Sequence, residues 1–415
     1  MRPLSVYLDS SDFSVLSNAE RASAEAPGVL PALQRWIHAG EIECFFSGAH
    51  LTEMAPLQAT YANAAVSRSA ILVALCGRNT MIAHDRLFSM EVRVALGLTT
   101  APVEAMDREG YWFPEGAAEL SPVTQLEHEL SIKKTIGEIY SSRADRRRAQ
   151  KRVMKGGKPR PEVQAQLLLA ARHGALNEIL ETIPMRPDAA RVLARYIVGD
   201  ASGAEATAAF ESSLRDPSWM VQWFYKHCEA LSPFVSWARG PGRQLAGKMM
   251  KLWELVQLAR ANPLLDEKAV AEIYGPSKWA ERQELLLAET ANRFAAKESA
   301  GATLAVQQID RHCPGLSAAI RSLFSAWQSI TFERPRKPKP SDFVDALHAA
   351  YAPYVDVFRA DGFMAAYIAR QANPYGTHVV PKLSELPHAI ERRLAQPRME
   401  NTGLVAALGN EERAK

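Results

Sequence analysis

The sequence predicts an α/β protein in which a parallel sheet flanked by helices is interrupted by a large all-α segment. Three observations lead there. Ser341 to Arg370 reads as helix, turn, strand, turn, helix. Residues 1–57 read as strand, helix, strand, helix. Between these ends, from about Leu57 to Thr331, apolar residues follow the 3.6-residue period and no alternating strand stands out.

Taken in order, Leu4 to Leu8 is an apolar strand with Asp9 at its end. A first helix is expected over Asp12 to Asn18 and a second over Gly28 to His38. Glu41 to Phe46 (EIECFF) is a second strand, and SGAHLTEMAP then starts a helix that carries Glu53. Helical segments follow from Thr60 to Cys76, Ser121 to Met154, Pro161 to Thr182, Asp188 to Ile197, Ala204 to Leu214 and Trp219 to Leu231. They continue over Gln244 to Ala261, Ser277 to Ala300 and Leu316 to Thr331, with Pro, Gly or Asp between them and no fixed repeat. Glu333 to Pro340 (ERPRKPKP) is a stiff basic linker. Ser341 then caps a helix with Phe343, Leu347 and Ala350 on the helical period, and Pro353 stops it. Tyr354 to Phe358 is a short strand interrupted by Asp356, and Asp361-Gly362 opens another helix. The last strand is THVVP, Thr377 to Pro381, and the polar tail is expected to fray.

Right-handed windings place strands near 4–8, 42–46, 354–358 and 377–380 in one parallel sheet. The expected organisation is a sheet domain from residues 1–57 and 336–395, a helical insertion over 58–335 and a flexible tail over 396–415.

In parallel sheets ligands bind beyond the carboxyl ends of the strands. Acids recur at strand ends or on the adjoining helices: Asp9, Glu53, Asp345 and Asp361. Converging carboxylates suit hard divalent cations, which take oxygen ligands. Such ions polarise a phosphoryl oxygen and activate a water. Each acid also has a structural reading. Asp9 and Asp361 are positioned as helix caps, Glu53 and Asp342 as first-turn acids that favour the helix dipole. Asp12 reads as a cap, Asp356 as a structural acid, and His348, one turn past Asp345, as a packing or supporting residue.

The order LDSS near the start, S-x-x-x-x-x-E after the second strand, DALHAA on a later helix and FRADG at a strand end resembles the PIN-domain nucleases. The resemblance covers roughly residues 1–60 and 338–395. It implies that Asp9, Glu53, Asp345 and Asp361 hold Mg²⁺ or Mn²⁺ and that phosphodiesters, usually of RNA, are hydrolysed to a 5′-phosphate and a 3′-hydroxyl. Two departures stand out: Ser11 where many members carry Asn, and the long insertion between the halves. A scaffold or RNA-binding protein that keeps the fold without turnover is the rival reading. A phosphatase with an aspartyl nucleophile needs a second Asp two residues after the first, where Ser11 stands.

The 415 residues suffice for two or three domains and a large core, and 47% apolar with 23% charged residues are the values of an ordinary globular chain. A formal net charge of +3 diagnoses no partner, and Cys44, Cys76, Cys228 and Cys313 form no C-x-x-C pair, which favours a reducing cytoplasm. No apolar run approaches the roughly 20 residues of a membrane span, and Asp9 and Asp12 interrupt any leader. Neither H-E-x-x-H, G-x-S-x-G nor a G-K-[ST] phosphate loop is present. Between Arg143 and Arg160 nine Lys or Arg face one acid, Asp145. Arg146, Arg147, Arg148, Lys151 and Arg152 are the expected phosphate contacts, against the plainer reading of a solvated helix end. Trp219, Trp223 and Tyr225 at helical spacing read as core. The expected partner is nucleic acid, with a protein partner or a second copy of the chain compatible with the helical block.

Overall fold

The computed structural model describes residues 2–54, 62–114, 139–155, 158–170, 183–197, 200–226, 275–333 and 341–396, with 250–251, 253–262 and single positions 123, 247, 264, 268 and 272. The N-terminal elements are β1 (Leu4–Tyr7), α1 (Ser10–Leu16), α2 (Ala19–Glu25), α3 (Val29–His38), β2 (Ile42–Phe45), α4 (Gly48–Met54), α5 (Ala62–Cys76), β3 (Thr80–Met81), α6 (His84–Ala95) and β4 (Met106–Asp107). Next come α7 (Arg143–Val153), β5 (Met154–Lys155), β6 (Lys158–Pro159), α8 (Pro161–Ala170), α9 (Pro187–Ile197), α10 (Gly203–Leu214) and α11 (Pro217–Lys226). The C-terminal elements are α12 (Pro276–Glu298), α13 (Val306–His312), α14 (Pro314–Gln328), α15 (Ser341–Ala349), β7 (Val357–Arg359), α16 (Ala365–Ala372), β8 (His378–Val380) and α17 (Leu386–Ala395).

The fold is α/β, built on a four-stranded sheet of order β2-β1-β7-β8 whose pairs are all parallel. The central strand β1 pairs Leu4 with Ile42 and Tyr7 with Phe45 on one side, and Val6 with Val357 on the other. All four of its residues are buried, which explains why it reads as a run of apolar residues and not as an alternation. Asp356 lies just ahead of β7, where its carboxylate accepts the Ser5 backbone N–H and hydroxyl, both at 2.8 Å. It is a structural acid. From β1 the chain passes to β2 on one side, and from β7 to β8 on the other, so the winding reverses between the two central strands. In open parallel sheets ligands bind at such a switch point, beyond the carboxyl ends of the strands.

By contacts the chain divides into two compact units. The first takes residues 1–54, 67–114 and 239–415. Its core joins Tyr7, Phe45 and Phe358 of the sheet to Leu87, Phe88 and Val92 of α6, Trp279 and Leu287 of α12, and Leu323, Phe324 and Trp327 of α14. Segments that periodicity groups with the helical insertion therefore share the sheet's own core. The antiparallel pair β3–β4 also belongs here, tied to the sheet by a parallel bridge from Thr80 to Phe46. Two-residue strands are too short to alternate visibly, which is why they escape a reading by period.

The second unit takes residues 55–66 and 115–238. Here α9 packs on α10, and Ser202 and Glu205 form a reciprocal capping box at the start of α10. Arg186 pairs with Asp188 at 3.2 Å and Asp216 at 3.3 Å. Of the aromatics expected in the core, Trp223 of α11 is buried and Trp219 partly buried, and the Tyr225 side chain lies outside the described residues; the neighbouring Phe224 is buried as well. The expected long helix from Ser121 is described mainly through α7; most of its first half, the linker residues 334–340 and the tail from 397 lie outside the described residues. Cys44, Cys76 and Cys313 are free and buried. Among the described residues no helix is long and apolar enough to cross a membrane.

Candidate functional site

The four sequence-predicted acids come from four separate segments of the first unit. Asp9 and Asp361 directly follow the carboxyl ends of the central strands β1 and β7, after one intervening residue each. Glu53 sits on α4, the helix after β2, and Asp345 on α15, the helix leading to β7. Their fields meet at Asp345. Burial, then the carboxylates of Asp9, Glu53 and Asp361, push its carboxyl up to about 8, with His348 pulling the other way. The Asp342 side chain lies outside the described residues.

Each acid also has local bonds. Asp9 is the cap of α1, accepting the Ser11 N–H at 2.8 Å, while Asp12 accepts the Asp9 N–H at 2.9 Å. Ser11 thus acts here through its backbone, turning the chain into the helix. Asp361 accepts the N–H groups of Phe363 at 2.6 Å and Met364 at 2.9 Å. The helix it introduces, α16, begins at Ala365, three residues later than Asp361 as its N-cap implies. Glu53 accepts from the Ser10 hydroxyl and from His348 Nε2, the latter at 2.9 Å.

His348 anchors a buried chain of polar groups behind the acids. Its Nδ1 lies 2.6 Å from the Tyr7 hydroxyl, which lies 2.7 Å from Ser47 Oγ. Burial works against the imidazolium, but the bond to Glu53 and the fields of Glu53, Asp9 and Asp345 outweigh it and hold the His348 pKa above the ordinary value. With both ring nitrogens protonated, His348 donates to Glu53 and to Tyr7, and Tyr7 donates onward to Ser47. His50 closes the chain: its Nδ1 accepts the Ser47 N–H at 3.0 Å, so Nε2 carries the hydrogen donated to the Leu8 carbonyl at 2.9 Å. Burial and the neighbouring His348 keep His50 neutral, in agreement with that tautomer.

A second support lies beside Asp9. Arg359, the last residue of β7, pairs with Asp12 at 3.0 Å, and both are at most 10% exposed. Burial pushes the Asp12 carboxyl up to about 7 against the pull of Arg359. Sequence reading assigns no role to Tyr7, Ser10, Ser47, His50 and Arg359, although Ser10, Ser47 and Arg359 fall within the LDSS, S-x-x-x-x-x-E and FRADG motifs. Their partners lie mostly far along the chain, so the motifs alone do not show what these side chains touch.

Among the described residues no group of three or more His, Cys, Asp or Glu side chains is arranged to hold a metal ion. The donor type is nonetheless that of a hard cation, since the groups whose fields reach Asp345 are carboxylates, which are oxygen ligands. In the second unit, α7 has no buried residue, and Arg146, Arg147, Arg148, Lys151 and Arg152 are exposed. Arg146 is partly committed, donating to the Tyr140 carbonyl at 2.7 Å and the Ser141 carbonyl at 2.9 Å. Beyond α7, the strands β5 and β6 pair antiparallel, Met154 with Pro159 and Lys155 with Lys158. No protein-family model matches the chain, and no curated protein or solved structure matches it.

Proposed function

We propose that the protein is a divalent-metal-dependent nuclease with a PIN-like catalytic domain, acting on RNA. The observation that supports it is the field of Asp9, Glu53 and Asp361 at Asp345, which together with burial drives that carboxyl up to about 8, with Asp9 and Asp361 just past the ends of the two central strands. A buried carboxyl raised by three neighbouring acids is a place where a cation relieves repulsion. Asp9, Glu53, Asp345 and Asp361 would hold Mg²⁺ or Mn²⁺. When bound, the ion supplies a polarised phosphoryl oxygen and an activated water. His348 holds Glu53 in place and donates charge to the cluster, and Asp12 with Arg359 fixes the backbone of Asp9. The exposed cations of α7 suit phosphate contacts, and the helical insertion would select substrate. The reading requires the acids to draw together on binding.

One observation favours the rival, a PIN-like nucleic-acid-binding or scaffold protein without turnover. Glu53 is already satisfied by Ser10 and His348, so the cluster is partly neutralised by the protein itself. Calorimetry with Mn²⁺ in buffers of different ionisation enthalpy separates the two. At pH 7 Asp345 is mainly protonated, so uptake of the ion should release about one proton, and none at pH 9. Asp345→Asn should abolish that release, and Asp9→Asn should abolish Mn²⁺-dependent cleavage of single-stranded RNA with the fold intact. Mn²⁺ uptake without cleavage selects the silent protein. No Mn²⁺ uptake by the wild type removes the metal reading altogether.

A further inference from the structure

On the opposite edge of the sheet, at the amino end of β8, a cleft of about 360 Å³ is lined by His378, Arg392, Arg393, Asn373 and Gln396 among others. Among the described residues, none that lines it is a carboxylate and neither arginine takes part in an ion pair. We infer that this cleft is a binding site for a small phosphate monoester, separate from the carboxylate cluster and independent of the nuclease reading.

The argument begins with charge. Arg392 Nη2 lies 3.3 Å from His378 Nε2. A guanidinium only donates, so Nε2 is the acceptor and the imidazole hydrogen is on Nδ1. Burial, then the fields of Arg392 and Arg393, hold the His378 pKa below its ordinary value. Two permanent positive charges therefore face one cleft, with a neutral histidine between them. Arg393 is pinned, donating from Nη2 to the Gly376 carbonyl at 2.7 Å and from Nη1 to Gln396 at 3.3 Å. Its Nε is buried without a partner. Gly376, at φ +82°, adopts the left-handed turn that carries its carbonyl to this arginine. The guanidinium is thus set before any ligand arrives.

Chemistry then selects the ligand. Two guanidinium groups balance a dianion, and their fork geometry matches phosphoryl oxygens. The edge of Arg392 not used by His378 needs acceptors, which those oxygens supply. The volume is at the lower end of small-ligand sites, roughly 300–1,000 Å³. It exceeds what an inorganic ion fills and leaves room for the esterified group beside the Asn373 and Gln396 amides.

The test uses the full chain and reads the His378 ring by NMR while inorganic phosphate, methyl phosphate or an RNA oligonucleotide lacking terminal phosphate is added at constant ionic strength. Inorganic phosphate and methyl phosphate should shift the His378 resonances saturably. Arg392→Gln should weaken both roughly tenfold, the effect of one charge-assisted bond. Arg392 is exposed, and its recorded bond is the one to His378, so the variant should keep the wild-type circular dichroism. Unsaturable His378 shifts with phosphate, equal affinity in Arg392→Gln, or a response to the oligonucleotide alone would each overturn the assignment.

Discussion

Arg359 and Asp12 show how a single pair can support a site it does not enter. Asp12 accepts from Arg359 on one oxygen and from the Asp9 backbone on the other, so it links β7 to the turn that presents Asp9. Such a pair is strongly coupled because neither charge has water to fall back on. Breaking one partner leaves a buried charge, which costs about 3–5 kcal/mol, whereas replacing both with apolar groups is often close to neutral. Arg359→Leu should therefore lower unfolding free energy by about 3–5 kcal/mol in urea titrations, and Arg359→Leu with Asp12→Leu should recover most of that loss. A double variant no more stable than the single one would refute the coupling. Arg359 has Nε and Nη1 buried without partners, so part of its desolvation is uncompensated and the recovery has room to be large.

Among the elements, α14 is the one whose placement depends most on a polar contact. Its first-turn N–H groups, at Gly315 and Leu316, donate to Glu91 of α6 at 2.5 and 3.1 Å, and the Tyr354 hydroxyl donates to the same carboxylate. A Cβ at Gly315 would meet the Ala350 carbonyl at 2.7 Å and Glu91 at 2.9 Å, so only glycine permits the approach. Burial pushes the Glu91 carboxyl up to about 7 against these three bonds. Its folded pKa thus lies above the ordinary 4.5. The sign follows: protons bind more tightly to the folded state, so the contribution is fully present below pH 4.5 and lost as pH rises through 7. Relative to Glu91→Gln, the wild type should lose stability steadily over that window. A difference that stays flat, or grows with pH, would show that the three bonds outweigh burial.

At the scale of the molecule, the core decides which parts can be removed. Replacing Leu57 to Pro335 with a short linker takes away α6, α12 and α14, whose Leu87, Phe88, Trp279, Phe324 and Trp327 pack on the sheet. The product should not fold, although the two ends carry all four strands of the sheet and all four acids. Replacing residues 115–238 alone removes most of the second unit and leaves that core intact. Closing the gap costs little, because loop entropy grows only with the logarithm of length. This shorter chain should unfold cooperatively in circular dichroism and keep any Mn²⁺ uptake. It should bind RNA more weakly, with a flatter salt dependence, since the α7 cations are gone. Failure of the shorter chain to fold, beside success of the larger deletion, would reverse this account of the core.

The sequence by itself determined the four strands of the main sheet, which joins the two chain ends. Apolar residues in β1, β2 and β7 follow from burial on both faces of the sheet, which leaves a nearly continuous local signal, while the edge strand β8 is only partly buried. The positions of Asp9 and Asp361 at strand ends were legible for the same reason, and so were most helices of the long middle segment. Only the tertiary structure decided what shares a core with the sheet, because α6, α12 and α14 carry ordinary helical periods that do not say what they face. It alone brought His348 to Glu53, Arg359 to Asp12 and Glu91 to Gly315, contacts that span 295, 347 and 224 residues of chain. Hydrogen bonds and ion pairs between distant residues leave no periodic trace. They exist only once apolar burial has folded the chain and closed the distances.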